Sequence, residues 1–507
     1  MQENIIHSKE KNQYKKILGA IAKQSHWVFV GKVIFFIFGF TIRILLARIL
    51  GPAALGRYQL GLTVVEIVSI FSVLGLDRGL IRFLPIIQTK NSSEGRELFT
   101  FNFYISFALS IVLAAAIYLL APLTSSLYFH SEEMTEVLRI FSLYLPVFSL
   151  FRVVSGGVNG TKRVDVLSNI TNIFCPSAFI ILLIVIYFTK ATITNCIIAR
   201  SVTHLIGTII LIYMLLKSLP KEEKTTERDI SLSHFLSYSF SLMFIGLIYY
   251  LLNHMDIIML GYFMEESEVG IYSVALRIAI FIIFGLQILL PIVAPHFSEL
   301  SYSKDFATLE ALFKTTTKWI FFSGVSIFYL VSVLRVELLS IFGTEFSGGG
   351  NILIVLGIGN LLNALSGPTG QILVMTGKQR WEMYNTIIMI FLNFFLNLFL
   401  IPRIGTIGAA IATAISISLM NIAKLIEVYF SYNIHPYNLK YIKIFFSLSC
   451  GFIVCYFVRR FSLQAGLGFI SIIVISSIVF FICSFICTWL IGLDDDDKEI
   501  FKLLRNH

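Results

Sequence analysis

An all-α polytopic membrane protein of about fourteen transmembrane helices, built as two pseudo-symmetric six-helix lobes plus two C-terminal helices, is the fold class this sequence predicts. Three observations carry it. Hydrophobic residues make up 57% of the 507 positions and charged residues 14%, with a mean hydropathy of +0.84, which excludes a soluble globular chain. Mostly apolar stretches recur along the chain, each of about 18 to 25 residues, enough to cross a hydrocarbon core of ~30 Å as a helix. A hexapeptide also recurs: Leu55-Gly56-Arg57-Tyr58-Gln59-Leu60 is echoed by Val269-Gly270-Ile271-Tyr272-Ser273-Val274 at an offset of 214.

Residues 1–24 are polar and basic (Lys9, Lys11, Lys15, Lys16, Lys23) and read as a cytosolic segment. No small-residue cleavage site follows the first span, so that span is expected to stay as helix one. The first lobe, 25–217, carries spans at 25–47, 54–76, 98–120, 136–158, 166–188 and 194–217. Residues 218–232, rich in Lys and Glu, read as a solvated cytosolic linker. The second lobe, 233–430, carries spans at 233–255, 268–290, 312–334, 351–375, 383–401 and 407–430. Spans 442–458 and 467–490 lie within a last membrane segment, 431–490, outside the duplication. Residues 491–507 form a cytosolic tail, in which acidic residues from Asp494 open a short amphipathic stretch with Ile500, Leu503 and Leu504. Alternating from a cytosolic N-terminus puts most of the 39 Lys and Arg residues on the cytosolic side, as the positive-inside rule requires.

The hexapeptide opens an even-numbered span in each half. Farther along, Gly160, Lys162, Arg163 and Asn169 are echoed by Gly377, Lys378, Arg380 and Asn385 at offsets of 215 to 217. A shared offset points to duplication of a six-helix unit. An even number of spans keeps both copies in one orientation, as parallel repeats with a cavity expected between them.

Within the apolar spans lie cations that need a reason: Lys32, Arg43, Arg139, Arg152, Arg200, Arg277 and Lys424. At a helix centre each costs roughly 2.5 to 3.5 kcal/mol, so they are expected to face a polar interior rather than lipid. Arg43 and Arg139 are close enough to a span end to snorkel. Lys32, Arg152, Arg200 and Lys424 sit roughly six or seven residues in, and Arg277 roughly nine, which makes Arg277 the deepest candidate. Each admits two readings, an interhelical salt bridge or a group that holds an anion. Lys32 and Arg43 are eleven residues apart and return to within about 20° of one helix face. Glu66 on the returning span falls between them in depth, open to a salt bridge or to a coupling role through protonation or cation binding. Asn169, Asn172, His204, Asn253, His254, Gln287, Asn360, Asn363, Asn393 and Asn397 add interhelical hydrogen-bonding capacity.

Other chemistries lack their signatures. The sequence has no phosphate-binding Gly-x4-Gly-Lys-Ser/Thr loop, no Gly-x-Gly-x-x-Gly, no His-Glu-x-x-His and no Gly-x-Ser-x-Gly. The six Cys all fall in apolar spans without metal-ligand spacing. No enzyme activity, catalytic residue, cofactor, metal or nucleic-acid partner is therefore expected. No loop between spans exceeds about 25 residues, which argues against a membrane glycan polymerase or ligase with a large outside domain.

Ala47-Arg48-Ile49-Leu50-Gly51-Pro52-Ala53-Ala54-Leu55-Gly56-Arg57-Tyr58 resembles the first outside turn of polysaccharide repeat-unit flippases, and Asp256 to Phe263 with Val269 to Ser273 resembles the matching turn of their second half. Gly377-Lys378-Gln379-Arg380 and Gly405-Thr406-Ile407-Gly408-Ala409-Ala410 are similar to further signatures of that group. The resemblance implies the multidrug/oligosaccharidyl-lipid/polysaccharide exporter fold. It also implies translocation of an undecaprenyl-diphosphate-linked oligosaccharide, of the O-antigen type, across a bacterial cytoplasmic (inner) membrane, alongside polysaccharide polymerase machinery. The diphosphate would supply the anion for Arg277, Lys32, Arg200, Arg152, Lys424 and Arg43, mainly against the first lobe, where most of these cations fall. A peptidoglycan lipid-precursor flippase and a cation-coupled drug exporter are the alternatives within the superfamily. The usual cationic substrates of the drug exporters suit a cation-lined interior poorly.

Overall fold

The computed structural model describes residues 2–88, 94–219, 231–438 and 440–491, with side chains from residue 31 onward except at 440 and 491. The linker around Lys221, the tail from Asp494 and the side chains of the N-terminal lysines lie outside the described residues. Among the described residues the regular structure is helical throughout.

Among the described residues thirteen helices are long and apolar enough to cross a membrane, and the chain is a multi-pass membrane protein. The first of them, Gly31–Val73, is two spans: Gly51 breaks it at φ 70°, ψ 179°, and Pro52 starts the next helix, so the total is fourteen. That backbone suits glycine because a Cβ disfavours positive φ. Proline suits the first helical position because its missing N–H would have had no partner there.

Two compact units divide the chain. One spans Ile37–Ser273. It contains the end of α1 (Gln2–Val73), then α2 (Leu76–Gln88), α3 (Glu94–Thr124), α4 (Glu133–Gly160), α5 (Val164–Asn169), α6 (Cys175–Phe188), α7 (Ile193–Ser218), α8 (Leu232–Phe263) and the first turns of α9 (Glu266–Ala279). A π turn at Ile170–Phe174 joins α5 to α6, so the two make one span, Val164–Phe188. The core of this unit gathers Val73, Leu84, Phe99, Val154, Val158 and Leu215.

The other unit takes the chain up to Phe36 and from Val274 onward. It contains the end of α9, α10 (Phe284–Tyr302), α11 (Phe306–Val333), α12 (Arg335–Ser340), α13 (Gly350–Ser366), α14 (Thr369–Met375), α15 (Gln379–Ile404), α16 (Thr406–Tyr432), α17 (Lys440–Gln464) and α18 (Phe469–Ile491). Leu289, Phe297, Leu309, Phe313 and Ile372 form its main core. The C-terminal pair packs on α11 through Val325, Leu448, Cys455 and Phe480. There Arg459 Nε donates to the buried Glu337 carboxylate at 2.7 Å, a charged tie between α17 and α12.

Helix boundaries repeat with the hexapeptide. Shifted by 214 residues, Val164–Phe188 becomes 378–402, against Gln379–Ile404 observed, and Ile193–Ser218 becomes 407–432, against Thr406–Tyr432. The two hexapeptides also meet. A Cβ on Gly56 would overlap the Glu266 carbonyl and lie 3.1 Å from Gly270 N, while a Cβ on Gly270 would overlap the Pro52 carbonyl and lie 3.2 Å from Gly56 N. Pro52 and Glu266 are themselves separated by the repeat offset, so the contact is reciprocal. Lipid offers no hydrophobic force between apolar helices, and small residues that let backbones touch supply dispersion contact in its place. Beside the glycines, Arg57 is ion-paired to Glu133 and reaches Glu266 Oε2 at 3.4 Å.

The charge distribution gives a topology that can be measured. In a background without native Cys, single cysteines at positions 162 and 378 are expected to resist impermeant maleimide added to intact cells, while those at 131 and 349 react. Labelling of 162 or 378 from outside would invert the assignment.

Candidate functional site

In the Ile37–Ser273 unit a run of charged and polar groups lies along one helix, the second span, residues 52–73. Arg43, on the span before it, donates from Nη1 to Gln59 Oε1 at 2.6 Å. One residue earlier, the Tyr58 hydroxyl accepts from Arg200 Nη1 on α7 at 3.4 Å, and Arg200 Nε reaches the Tyr144 hydroxyl on α4 at the same distance. Tyr144 in turn shares a 2.7 Å hydrogen bond with His204 Nδ1, one turn along α7 from Arg200. The Phe179 ring lies 5.8 Å from the Arg200 guanidinium carbon. Tyr58 and Tyr144 are almost fully buried, and Tyr58 packs edge-on against Phe141 at 5.4 Å, so both phenols are held in place by packing.

Glu66 lies two turns along from Gln59. Its Oε2 accepts from the Tyr250 hydroxyl of α8 at 3.1 Å, and Tyr250 stacks on His254 at 4.2 Å. The carboxylate also acts electrostatically on Arg200, without forming an ion pair with it. Arg200 is half-buried and held by two phenols. Among the described residues no carboxylate oxygen lies within 4 Å of it. A guanidinium so placed keeps its charge and spare N–H donors, the properties that bind phosphate or carboxylate.

The other cations differ. Arg152 donates to Asp77 Oδ2 at 3.1 Å and to Ser69 Oγ at 2.9 Å, so it is an ion pair between α4 and the start of α2. Lys424 Nζ is 2.6 Å from Glu382 Oε1, pairing α16 with α15. Nearby, Asn385 donates to Glu427 Oε2 at 2.7 Å, and Lys378 Nζ to Ser431 Oγ at 2.8 Å. Arg139 lies 5.1 Å from the Tyr118 ring. Lys32 is half-buried and has no ion pair with any described residue. Arg277 is half-buried in the last turn of α9 and makes interactions there. Arg43 and Arg200 thus meet the second span at Gln59 and Tyr58, Glu66 belongs to that span, and Arg152 from α4 meets it farther along at Ser69. Lys32, Arg277 and Lys424 belong to the other unit.

Several participants were not among the sequence candidates: Tyr58, Gln59, Asp77, Tyr144, Tyr250 and Glu382. Tyr58 carried a usable signal, because its repeat partner Tyr272 also serves a charged group, donating to Asp256 Oδ2 at 2.6 Å. The Asp77–Arg152 pair should show in a double-mutant cycle. Asp77→Ala and Arg152→Ala are each expected to lower unfolding stability in detergent, with a coupling of roughly 1 kcal/mol. Strict additivity would mean that the pair contributes nothing.

The profile of a family described as "Polysaccharide biosynthesis protein" matches residues 45–349. Two proteins of Haloferax volcanii are similar over part of the chain. "Probable low-salt glycan biosynthesis flippase Agl15" is 27% identical over 168 residues, 33% of this chain and 36% of that protein. "Probable flippase AglR" is 33% identical over 176 residues, again 33% and 36%. The chain thus spans about a third of the length of the curated relatives it matches. Among solved structures, "Lipid II flippase MurJ, inward closed conformation" aligns with TM-score 0.66 at 16% identity, covering 91% of this chain and 98% of that one. An inward-facing multidrug exporter, "a multidrug resistance MATE family transporter of the MOP superfamily", aligns with TM-score 0.63 at 15% identity, covering 79% and 94%. At these identities the likeness shows the fold, that of the multidrug/oligosaccharidyl-lipid/polysaccharide exporters.

Proposed function

We propose, from the premise that this chain belongs to the polysaccharide biosynthesis protein family, that it is a flippase. It carries an undecaprenyl-diphosphate-linked oligosaccharide repeat unit from the cytosolic to the outer leaflet, for cell-surface polysaccharide assembly. The observation that carries this reading is Arg200, a membrane-embedded guanidinium held by Tyr58 and Tyr144 rather than by a carboxylate. A charge at that depth with no ion pair among the described residues is costly, and an anionic headgroup passing through the protein gives it a partner. The names of the two Haloferax relatives support a glycan flippase as the general activity.

On this reading the protein acts by alternating access in the bacterial cytoplasmic membrane, with both termini cytosolic, and makes or breaks no bond in its cargo. A polysaccharide polymerase on the outer face would take the product. The test is reconstitution into vesicles with a defined lipid-linked oligosaccharide and an enzyme outside that attacks only exposed sugar. Wild-type protein should expose substrate loaded on the inner leaflet, measured with and without proton or sodium gradients. Absence of exposure under every gradient would overturn the reading, and lengthening of the glycan would replace it with a polymerase.

A further inference from the structure

We infer that α2 carries a cytosolic loading site for the substrate's diphosphate, formed by Arg78 and Arg82 against α8. The inference rests on the flippase reading and extends it to how the headgroup first engages the protein.

α2 is a thirteen-residue amphipathic helix that continues the second span past the bend at Leu74 and Gly75. Its apolar face, including Leu80, Phe83 and Leu84, is buried, with Phe83 packed on Phe235 of α8 at 5.5 Å. Arg78 and Arg82 are four residues apart and so stand one above the other on the helix. Both lie along successive turns of α8. The Arg82 guanidinium carbon lies over the Tyr238 ring, 4.2 Å from its centroid, and Arg78 Nη1 makes a long 3.4 Å contact with the Leu242 carbonyl. One turn farther, Gly246 presents no side chain to Arg78, whose guanidinium lies 3.7 Å from where a Cβ would be.

Neither guanidinium is ion-paired to a carboxylate among the described residues. The adjacent acid, Asp77, is engaged by Arg152 through Oδ2 and by the Arg78 backbone N–H through Oδ1. The Tyr238 ring holds the Arg82 guanidinium by cation–π attraction, and its N–H groups make no hydrogen bond among the described residues, which leaves them to bond oxygen. Two such forks one helical turn apart fit the chemistry of a diphosphate, which offers acceptor oxygens on two linked phosphorus centres. In the topology that the charges predict, this end of the second span faces the cytosol. A diphosphate moving from there along the span would pass Arg82 and Arg78, then Arg152, then Arg200 and Arg43.

The test uses full-length protein in phosphatidylcholine nanodiscs, with undecaprenyl diphosphate as probe. Wild type should bind it, and Arg78→Gln/Arg82→Gln should bind at least about tenfold more weakly. Arg78→Lys/Arg82→Lys, which keeps the charge, should fall between them. In transport assays the glutamine variant should need a higher substrate concentration for half-maximal rate while keeping its maximal rate, because Arg200 and Arg43 are intact. Inorganic diphosphate should compete for the site. If phosphatidylglycerol at equal mole fraction displaces the probe as well as unlabelled undecaprenyl diphosphate does, the site is a general anionic-lipid contact and the inference is overturned. Wild-type transport with unchanged affinity in the glutamine variant overturns the loading site alone. A wild type that neither binds nor translocates removes the flippase reading along with it.

Discussion

Arg200→Ala is expected to abolish glycan translocation while the protein still inserts, folds and accumulates at the wild-type level. Arg200 makes two long hydrogen bonds to phenols, both at 3.4 Å, so its removal leaves Tyr58 and Tyr144 each short of one modest contact. Truncation breaks no ion pair among the described residues, and Glu66 keeps its hydrogen bond from Tyr250, so the usual reason that removing a charged partner unfolds a protein does not apply. The loss falls on substrate. Hydrogen bonds to charged groups contribute about 1.5 to 3 kcal/mol each, and losing one such contact corresponds to a factor of roughly ten to a hundred or more. Arg200→Lys should retain part of the activity, because the charge survives but the planar fork does not. Export in cells, compared at equal protein level, checks both variants. Wild-type export by Arg200→Ala would remove the observation on which the functional reading stands.

Gly56→Leu is expected to disrupt the protein at its folding level, and Gly270→Leu to do the same. The obstacle in each case is backbone, the carbonyl of Glu266 or of Pro52, and backbone within a helix cannot rotate aside as a side chain can. Overpacking of this kind costs typically about 1 to 3 kcal/mol, and a leucine exceeds what a small shift can absorb. Thermal unfolding in detergent should fall for either substitution. The double variant should lose less than the sum, since helices already spread by one leucine admit the second at little further cost. Near-wild-type stability for Gly56→Leu would mean that the contact is not made in the folded protein.

Much of the fold could be read from the sequence because hydropathy reports span number directly. Expected spans 25–47 and 54–76 bracket the break at Gly51 and Pro52, although the two helices run on through that kink. Ends were less legible. The span expected at 268–290 continues through Tyr302, and the one expected at 351–375 breaks at Gly367, where φ is 65°. Both departures lie at helix ends, where the apolar pattern has already thinned and backbone contacts decide.

At the site, the cations stood out because charge is rare in apolar spans, but their partners did not. Arg152 meets Asp77 across 75 residues and Lys424 meets Glu382 across 42, separations that helix packing brings together and no local pattern encodes. Asp77 and Glu382 also lie just beyond their expected spans, where an acid looks like ordinary loop polarity. Tyr58 and Tyr144 were hidden differently, since a tyrosine in a span reads as bulk apolar surface until its hydroxyl is placed against Arg200.

The reciprocal meeting of Gly56 with Gly270 has the form of an isologous dimer interface held within one polypeptide, each copy of a patch contacting the other. Because the same patch faces itself, every change on one side is met by its counterpart on the other. Its two glycines are then bound to a common fate: neither copy is free to acquire a side chain while the other keeps its helix in place, however far the remainder of the two halves has diverged.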